Sequence, residues 1–346
     1  MATGTLTIDL DALVANWRAL DALGPAETGA VVKADGYGLG AAHVAEALAA
    51  AGARRFFVAD ASEGAAVRGA VGIARDVFVF GGHQHGDTDA IRAHGLIPLL
   101  NAPDQWHRHR EALPGAPFGV QLDTGMSRLG FQPDDWGDCR DAIEAARPAL
   151  VMSHLACADE PDHPQNAAQL HAFRAMTDGI GAPRSLSATG GTLLGPDFHF
   201  DLVRPGVGLY GGLPFADARP VVRLSLPVIQ TRTVPAGTTA GYGATWVAAR
   251  DSVLATVSGG YADGLIRALS RGCHLWSGAT PCPLAGRVSM DLLIVDVTDL
   301  PDRPESLDIL GPHQGIDALA DAAGTIGYEI LTSLGGRYRR TEGPVS

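Results

Sequence analysis

Lysine is almost missing from this sequence: of 26 basic side chains in 346 residues, Lys33 is a lysine and all the others are arginine. Cysteine is sparse as well. Its four residues, at 139, 157, 273 and 282, stand singly, so a small disulfide- or metal-stapled module is excluded and reduced cysteines are expected. No apolar run approaches the ~18 positions that a membrane helix requires. Basic charge is in deficit, 26 against 38 acidic residues for a net −12, and its densest cluster, Arg337, Arg339 and Arg340, lies at the far end of the chain. A nucleic-acid surface is therefore not expected. The opening MATGTLTIDL has no charged segment leading into an apolar one, and cytoplasmic residence is the expectation. What is abundant is apolar chain, 46% hydrophobic against 18% charged, enough for one large globular domain or two.

A near-absence of lysine gives the survivor weight. Arginine can replace lysine wherever solubility is the task, but a guanidinium does not readily deprotonate and attack a carbonyl, whereas an ε-amine does. The other reading is a chance survivor in an arginine-biased chain, and the surroundings of Lys33 decide between them.

From about residue 29 to 210, short β-rich apolar runs (29–33, 55–60, 76–80, 96–100, 118–122, 149–154, 184–187 and 200–204) alternate with alanine-rich helical stretches (41–51, 62–71, 87–94, 103–112, 133–146 and 164–179) and a short link at 191–194. Eight strands with crossovers predict an α/β fold of the (β/α)8 TIM-type barrel class. An open doubly wound sheet has the same signature, since counting strands does not prove closure. After about residue 216 the texture turns to β segments (223–233, 252–258, 273–276, 283–284 and 292–297) separated by glycine and proline, with helical periodicity returning at 316–323. We expect a barrel over 10–215 and a mainly β C-terminal domain over 216–346, joined by an N-terminal strand within residues 1–9.

Barrel chemistry collects where strands end. Lys33 ends the first run and His154 the sixth, Ser187 and Thr189 follow the seventh, Arg204 ends the eighth, and Asp123 and Arg128 lie just past the fifth. The last two connections, ATGGT at 188–192 and RPGVG at 204–208, are glycine-rich, which lets backbone N–H groups approach an anion. A lone amine facing a phosphate cradle points to pyridoxal phosphate held as a Schiff base.

The segment VVKADGYGLG at 31–40 resembles the cofactor-lysine signature of the alanine racemase family. Seven more segments resemble it in order: LDTGMSRLG at 122–130, SHLACADE at 153–160, VRPGVGLYG at 203–211, GYGATW at 241–246, GGYADG at 259–264, GRVSMD at 286–291 and GYE at 327–329. The resemblance implies a pyridoxal 5'-phosphate enzyme that interconverts L- and D-alanine with two bases, Lys33 on one face of the substrate Cα and Tyr242 of a partner subunit on the other. A homodimer with shared sites and a supply of D-alanine for peptidoglycan are implied with it.

Carried over by position, Arg204 faces the pyridine nitrogen and, always protonated, leaves that nitrogen unprotonated. Tyr37, Thr189, Tyr328 and the backbone of Gly206 and Val207 correspond to phosphate contacts, and His154 to a residue packed on the cofactor ring. Arg128 and the Met290 N–H match groups near the substrate carboxylate, and Tyr261 a tyrosine of the substrate passage, with Asp159, Arg267, Arg287 and Ile326 in segments lining it. Two departures stand out. Gln121 occupies the place of a lysine that many members carbamylate to steady the arginine matched by Arg128, and Ser289 that of a cysteine found in some relatives.

Other readings remain. HQH at 83–85 and HRH at 107–109 could mark a metal-dependent barrel hydrolase, although HRH lies in a helical stretch where residues two apart diverge; no metal site is expected. A non-catalytic pyridoxal-phosphate carrier would be a barrel alone, without the C-terminal residues that include Tyr242. Decarboxylation or aldol cleavage would keep the cofactor and change the reaction, and a racemase of broader range, serine included, would keep both.

Overall fold

The apolar runs of the first two thirds become short parallel strands in the computed structural model, which describes residues 4–345. Seven of them, Ala30–Val31, Arg55–Val58, Asp76–Val79, Ile97–Leu100, Gly119–Gln121, Val151–Met152 and Arg184–Ser185, pair in chain order in one parallel sheet. The eighth, Leu202–Val203, pairs in parallel with Glu27–Thr28, which leads into the first strand. Backbone bonds complete the ring: Arg204 N–H donates to Ser187 O at 2.8 Å on one side, and Gly29 N–H donates to Val203 O at 2.9 Å on the other. The barrel expected from the sequence is closed, and these bonds exclude the open sheet.

Strands covered on both faces read as continuous apolar runs rather than alternating ones. Phe56, Phe57 and Val58 of the second strand are all fully buried, and Phe57 stacks on Phe78 of the third at 5.0 Å. Each such side chain contributes about 1.5–3 kcal/mol on leaving water. The helix starts are local: Pro103, Pro133 and Pro164 open the helices Pro103–Ala112, Pro133–Ala145 and Pro164–Met176, where the missing N–H costs nothing.

The barrel lies in a compact unit, Val14–Leu209; a second unit holds residues 4–13 and 210–345. In the second, the long strand Val222–Val234 is the spine, antiparallel to Thr5–Ile8, Ser252–Ser258 and Ser306–Leu310. Thr5–Ile8 sits between that spine and Arg339–Glu342, with which it runs parallel, so this strand pairs within the β unit. The sequence reading did not find Ser306–Leu310, Arg339–Glu342 or the helix Gly327–Ser333. Arg339–Glu342 reads RRTE, and only its pairing with Thr5–Ile8 makes it a strand. Among the described residues no helix is long and apolar enough to cross a membrane.

Candidate active site

Directly after the first strand the chain makes a left-handed turn, with φ of 52°, 53°, 62° and 55° at Ala34, Asp35, Gly36 and Tyr37. Left-handed geometry costs about 1–2 kcal/mol for each non-glycine residue, so the surroundings must hold it. Lys33 stands at its start, half-buried, with Nζ 5.8 Å from the Phe80 ring centroid. Burial first, then Arg128, lowers its pKa, while Glu63 opposes them.

Tyr37, at the end of the turn, is buried and aims its hydroxyl at the eighth connection, where a Cβ on Gly206 would overlap it. Glycine is required there by this close approach rather than by its φ. Beside it the Thr189 hydroxyl accepts the N–H groups of Gly206 at 3.0 Å and of Gly208 at 3.2 Å. Val207, expected with Gly206 to offer its backbone to a phosphate, is buried between these two donors at the start of the turn Val207–Tyr210.

Arg204 is 1% exposed and has no carboxylate partner among the described residues. Its guanidinium donates to the Ser185 hydroxyl, to Ser153 O at 2.7 Å and to Leu186 O at 3.4 Å, all neutral oxygens. Burial alone brings its pKa down to about 9, which still leaves it charged near neutrality. His154 is held neutral, its pKa pushed down to about 3 by burial and then by Arg204, Arg128 and Lys33. Its backbone oxygen is fixed by the fully buried Gln169, whose Nε2 donates at 2.9 Å.

Arg128 is exposed on a loop that Asp123 ties together by accepting the N–H groups of Gly125, Met126 and Ser127 at 2.9–3.1 Å. Gln121 does not reach the guanidinium; its Nε2 donates to Leu129 O at 3.2 Å, so the amide steadies the loop backbone instead of Arg128 itself. Ser153, Ser185, Gln169 and Asp123 were not picked out for this scaffolding by sequence reasoning. Their signal was weak, since buried serines and glutamines have no spacing rule.

The β unit carries the rest. Tyr242 and Met290 line one cavity of about 580 Å³, together with Gly241, Ser289 and Asp291. Tyr242 is 72% exposed and rides a short turn opened by Gly241, φ 73°. The Met290 N–H has no partner among the described residues. Tyr261 is fixed next to it, its N–H donating to Ser289 O at 3.0 Å while Ala262 N–H donates to Met290 O at 2.9 Å. A charged clamp joins these two loops: Arg337 donates from Nε and Nη2 to buried Asp263 at 2.6 and 2.8 Å, and from Nη1 to Asp291 at 2.8 Å. Tyr328 lies part-buried on Gly327–Ser333, Arg267 and Arg287 are exposed, as is Asp159 on the barrel, and Ile326 is 60% exposed.

The two histidine motifs contribute one buried member each. His83 and His109 meet Nδ1 to Nδ1 at 3.2 Å, with His83 Nε2 on Thr88 Oγ1 at 2.9 Å and His109 Nε2 on Ala116 O at 3.3 Å. His85 and His107 face solvent. Among the described residues no group of three or more His, Cys, Asp or Glu could hold a metal ion.

Lys33, Arg128 and Arg204, three cations with the chain's one ε-amine among them, act on His154 beside a hydroxyl-and-glycine cradle, a barrel mouth suited to an anionic ligand. The chain matches the alanine racemase N-terminal domain over residues 8–214 and the C-terminal domain over 221–342, and it belongs to the alanine racemase family. It is 68% identical over 344 residues to the alanine racemase of Jannaschia sp. (strain CCS1), covering 99% of this chain and 100% of that one. A catabolic alanine racemase of Agrobacterium fabrum is 46% identical over 98% of this chain and 92% of its own. Among solved structures, the alanine racemase of Bartonella henselae with covalently bound pyridoxal phosphate superposes at a TM-score of 0.93, with 37% identity over 99% of this chain and 100% of that one.

Proposed function

We propose that this enzyme interconverts L- and D-alanine with pyridoxal 5'-phosphate carried on Lys33. The observation that carries the reading is the chain's one ε-amine, its pKa lowered by burial and by Arg128, at a mouth whose other donors fit an anionic, nitrogen-bearing ring. The residues suit that group. A Cβ at Gly206 would fill the cradle, and buried Arg204 offers a charged donor whose partners are all neutral. Thr189, Tyr37, Tyr328 and the backbone of Gly206 and Val207 would hold the phosphate, Arg204 the ring nitrogen, and His154 the ring face. When bound, the cofactor supplies an electron sink that acidifies the substrate's Cα–H.

The chain's own groups do the rest. Lys33 Nζ takes or returns the proton on one face of Cα, and its lowered pKa leaves more of it as the free amine that can act as a base. Tyr242 of a partner subunit serves the opposite face. The exposed position of Tyr242 and its place beside Met290 support a site completed by a second copy. Arg128 and the Met290 N–H orient the substrate carboxylate, and Tyr261 borders the passage. The four cysteines are unpaired, which fits the reducing cytoplasm, where D-alanine would be made for peptidoglycan. Borohydride reduction of cofactor-loaded protein followed by peptide mapping should place the label on the peptide containing Lys33, and L-alanine should lose optical activity. An unlabelled Lys33 peptide refutes the cofactor role.

A further inference from the structure

Glu63 has no part in the roles above, yet both of its carboxylate oxygens are committed at the barrel mouth. Oε1 accepts the N–H of Ala34, the residue directly after Lys33, at 2.7 Å, and Oε2 accepts that of Ala59 at 2.8 Å. One carboxylate thereby bridges the connection after the first strand to the connection after the second. Glu63 reaches there from the first turn of the helix Ala61–Val71, whose start is fixed by Asp60 accepting from the N–H groups of Ser62 at 2.9 Å and Glu63 at 3.2 Å. What it grips is the left-handed turn, whose first amide would otherwise lack an acceptor, while the Asp35 carboxylate secures the far end on the Ala41 N–H at 2.9 Å.

We propose that Glu63 is a positioning residue for Lys33: its carboxylate locks the left-handed turn to the neighbouring strand end and sets one negative charge against the cations around the amine. The charged and titratable groups facing Lys33 are Arg128, Glu63 and His154, with Arg204 acting on the same His154. Burial and Arg128 push the amine toward neutrality and Glu63 opposes them, so Glu63 limits how far that shift goes. The inference rests on the reading of Lys33 as the cofactor-bearing amine, but its test does not.

Because Lys33 is the only lysine, trace acetylation of the cofactor-free full chain reports one ε-amine, with the N-terminal amine as internal standard. Labelling of the Lys33 peptide is followed by mass spectrometry across pH in wild type, Glu63→Gln and Glu63→Asp. The expected result is a labelling midpoint that falls from wild type to Glu63→Asp to Glu63→Gln. With it goes a loss of about tenfold or more in kcat/KM for Glu63→Gln, partly recovered in Glu63→Asp, as expected when a charge-assisted bond is removed. Should Glu63→Gln not fold, Glu63→Asp, its carboxylate drawn back by one methylene, must still lower the midpoint. A midpoint in either folded variant equal to wild type overturns the proposal, whatever happens to the melting temperature. Failure of the borohydride mapping would instead remove the cofactor reading and leave the Lys33–Glu63 coupling measurable.

Discussion

At the barrel mouth Arg204 and Thr189 are 1 and 2% exposed and Lys33 is half-buried, whereas on the β unit Tyr242, Met290 and Tyr261 stand 72, 53 and 43% exposed. The barrel sets the charge state of its groups by removing water: burial is the first cause of the lowered pKa at Lys33, His154 and Arg204 alike. The β unit instead sets position, with Tyr242 on a glycine turn and the loops of Tyr261 and Met290 held by the Arg337 clamp. One unit buries its ionisable groups and shifts their protonation, and the other presents Tyr242 and Met290 outward to water. If Lys33 and Tyr242 are the two bases proposed above, each is prepared by a different means.

The comparison is broken most severely at Lys33. Lys33→Ala should reduce racemisation by about a thousandfold or more, in line with losing a catalytic base and covalent anchor together, and should abolish the visible absorbance of the bound cofactor. Tyr242→Phe should cost about a hundredfold or more in at least one direction while that absorbance stays, so solvent-deuterium exchange at Cα becomes direction-dependent. Mixing the two inactive variants should restore part of the activity if one site draws on both chains. No recovery, with mixed dimers shown to form, would confine both groups to one chain.

On the β unit alone, Asp263→Ala removes the Arg337 Nε and Nη2 bonds, leaving its bond to Asp291, and strands the Gly260 N–H. A loss of stability should appear in thermal melts, led by the buried Gly260 N–H and moderated by the solvent around Arg337. KM should rise more than kcat falls, because the loops of Tyr261 and Met290 are released; an unchanged KM would separate the clamp from substrate binding.

The smallest effect concerns the buried His83–His109 pair, whose pKa values are both lowered chiefly by burial. Folded-state values below the ordinary 6.5 mean that the unfolded chain binds protons first as pH falls, so stability is full above about 6.5 and declines below it. Denaturant melts between pH 7 and 5 should show that decline, and His109→Gln should flatten it. An equal slope in the variant would assign the acid sensitivity elsewhere, with His154 the next group to examine.

Local chemistry made much of this legible in advance. Short β-rich runs of four to six residues marked all eight barrel strands, and Pro103, Pro133 and Pro164 marked three helix starts. The singular lysine and two glycine-rich connections located the mouth. Ser306–Leu310 and Arg339–Glu342 were missed because they are strands by virtue of their neighbours, with weak or polar patterns of their own. The pairing of His83 with His109 was missed for a similar reason: each motif alone suggested metal ligation, and their meeting joins a strand end to a distant helix.

By itself the sequence determined which groups are available, because an amine, a phenol or a glycine is a covalent fact and periodic burial follows from composition. Only the tertiary structure decided what those groups experience. It placed Glu63 on the amide after Lys33, turned Gln121 toward Leu129 O, and set the Arg204 guanidinium on neutral oxygens. The reason is physical: desolvation and hydrogen bonding depend on atoms a few ångströms away, and residues far apart in the chain supply those atoms.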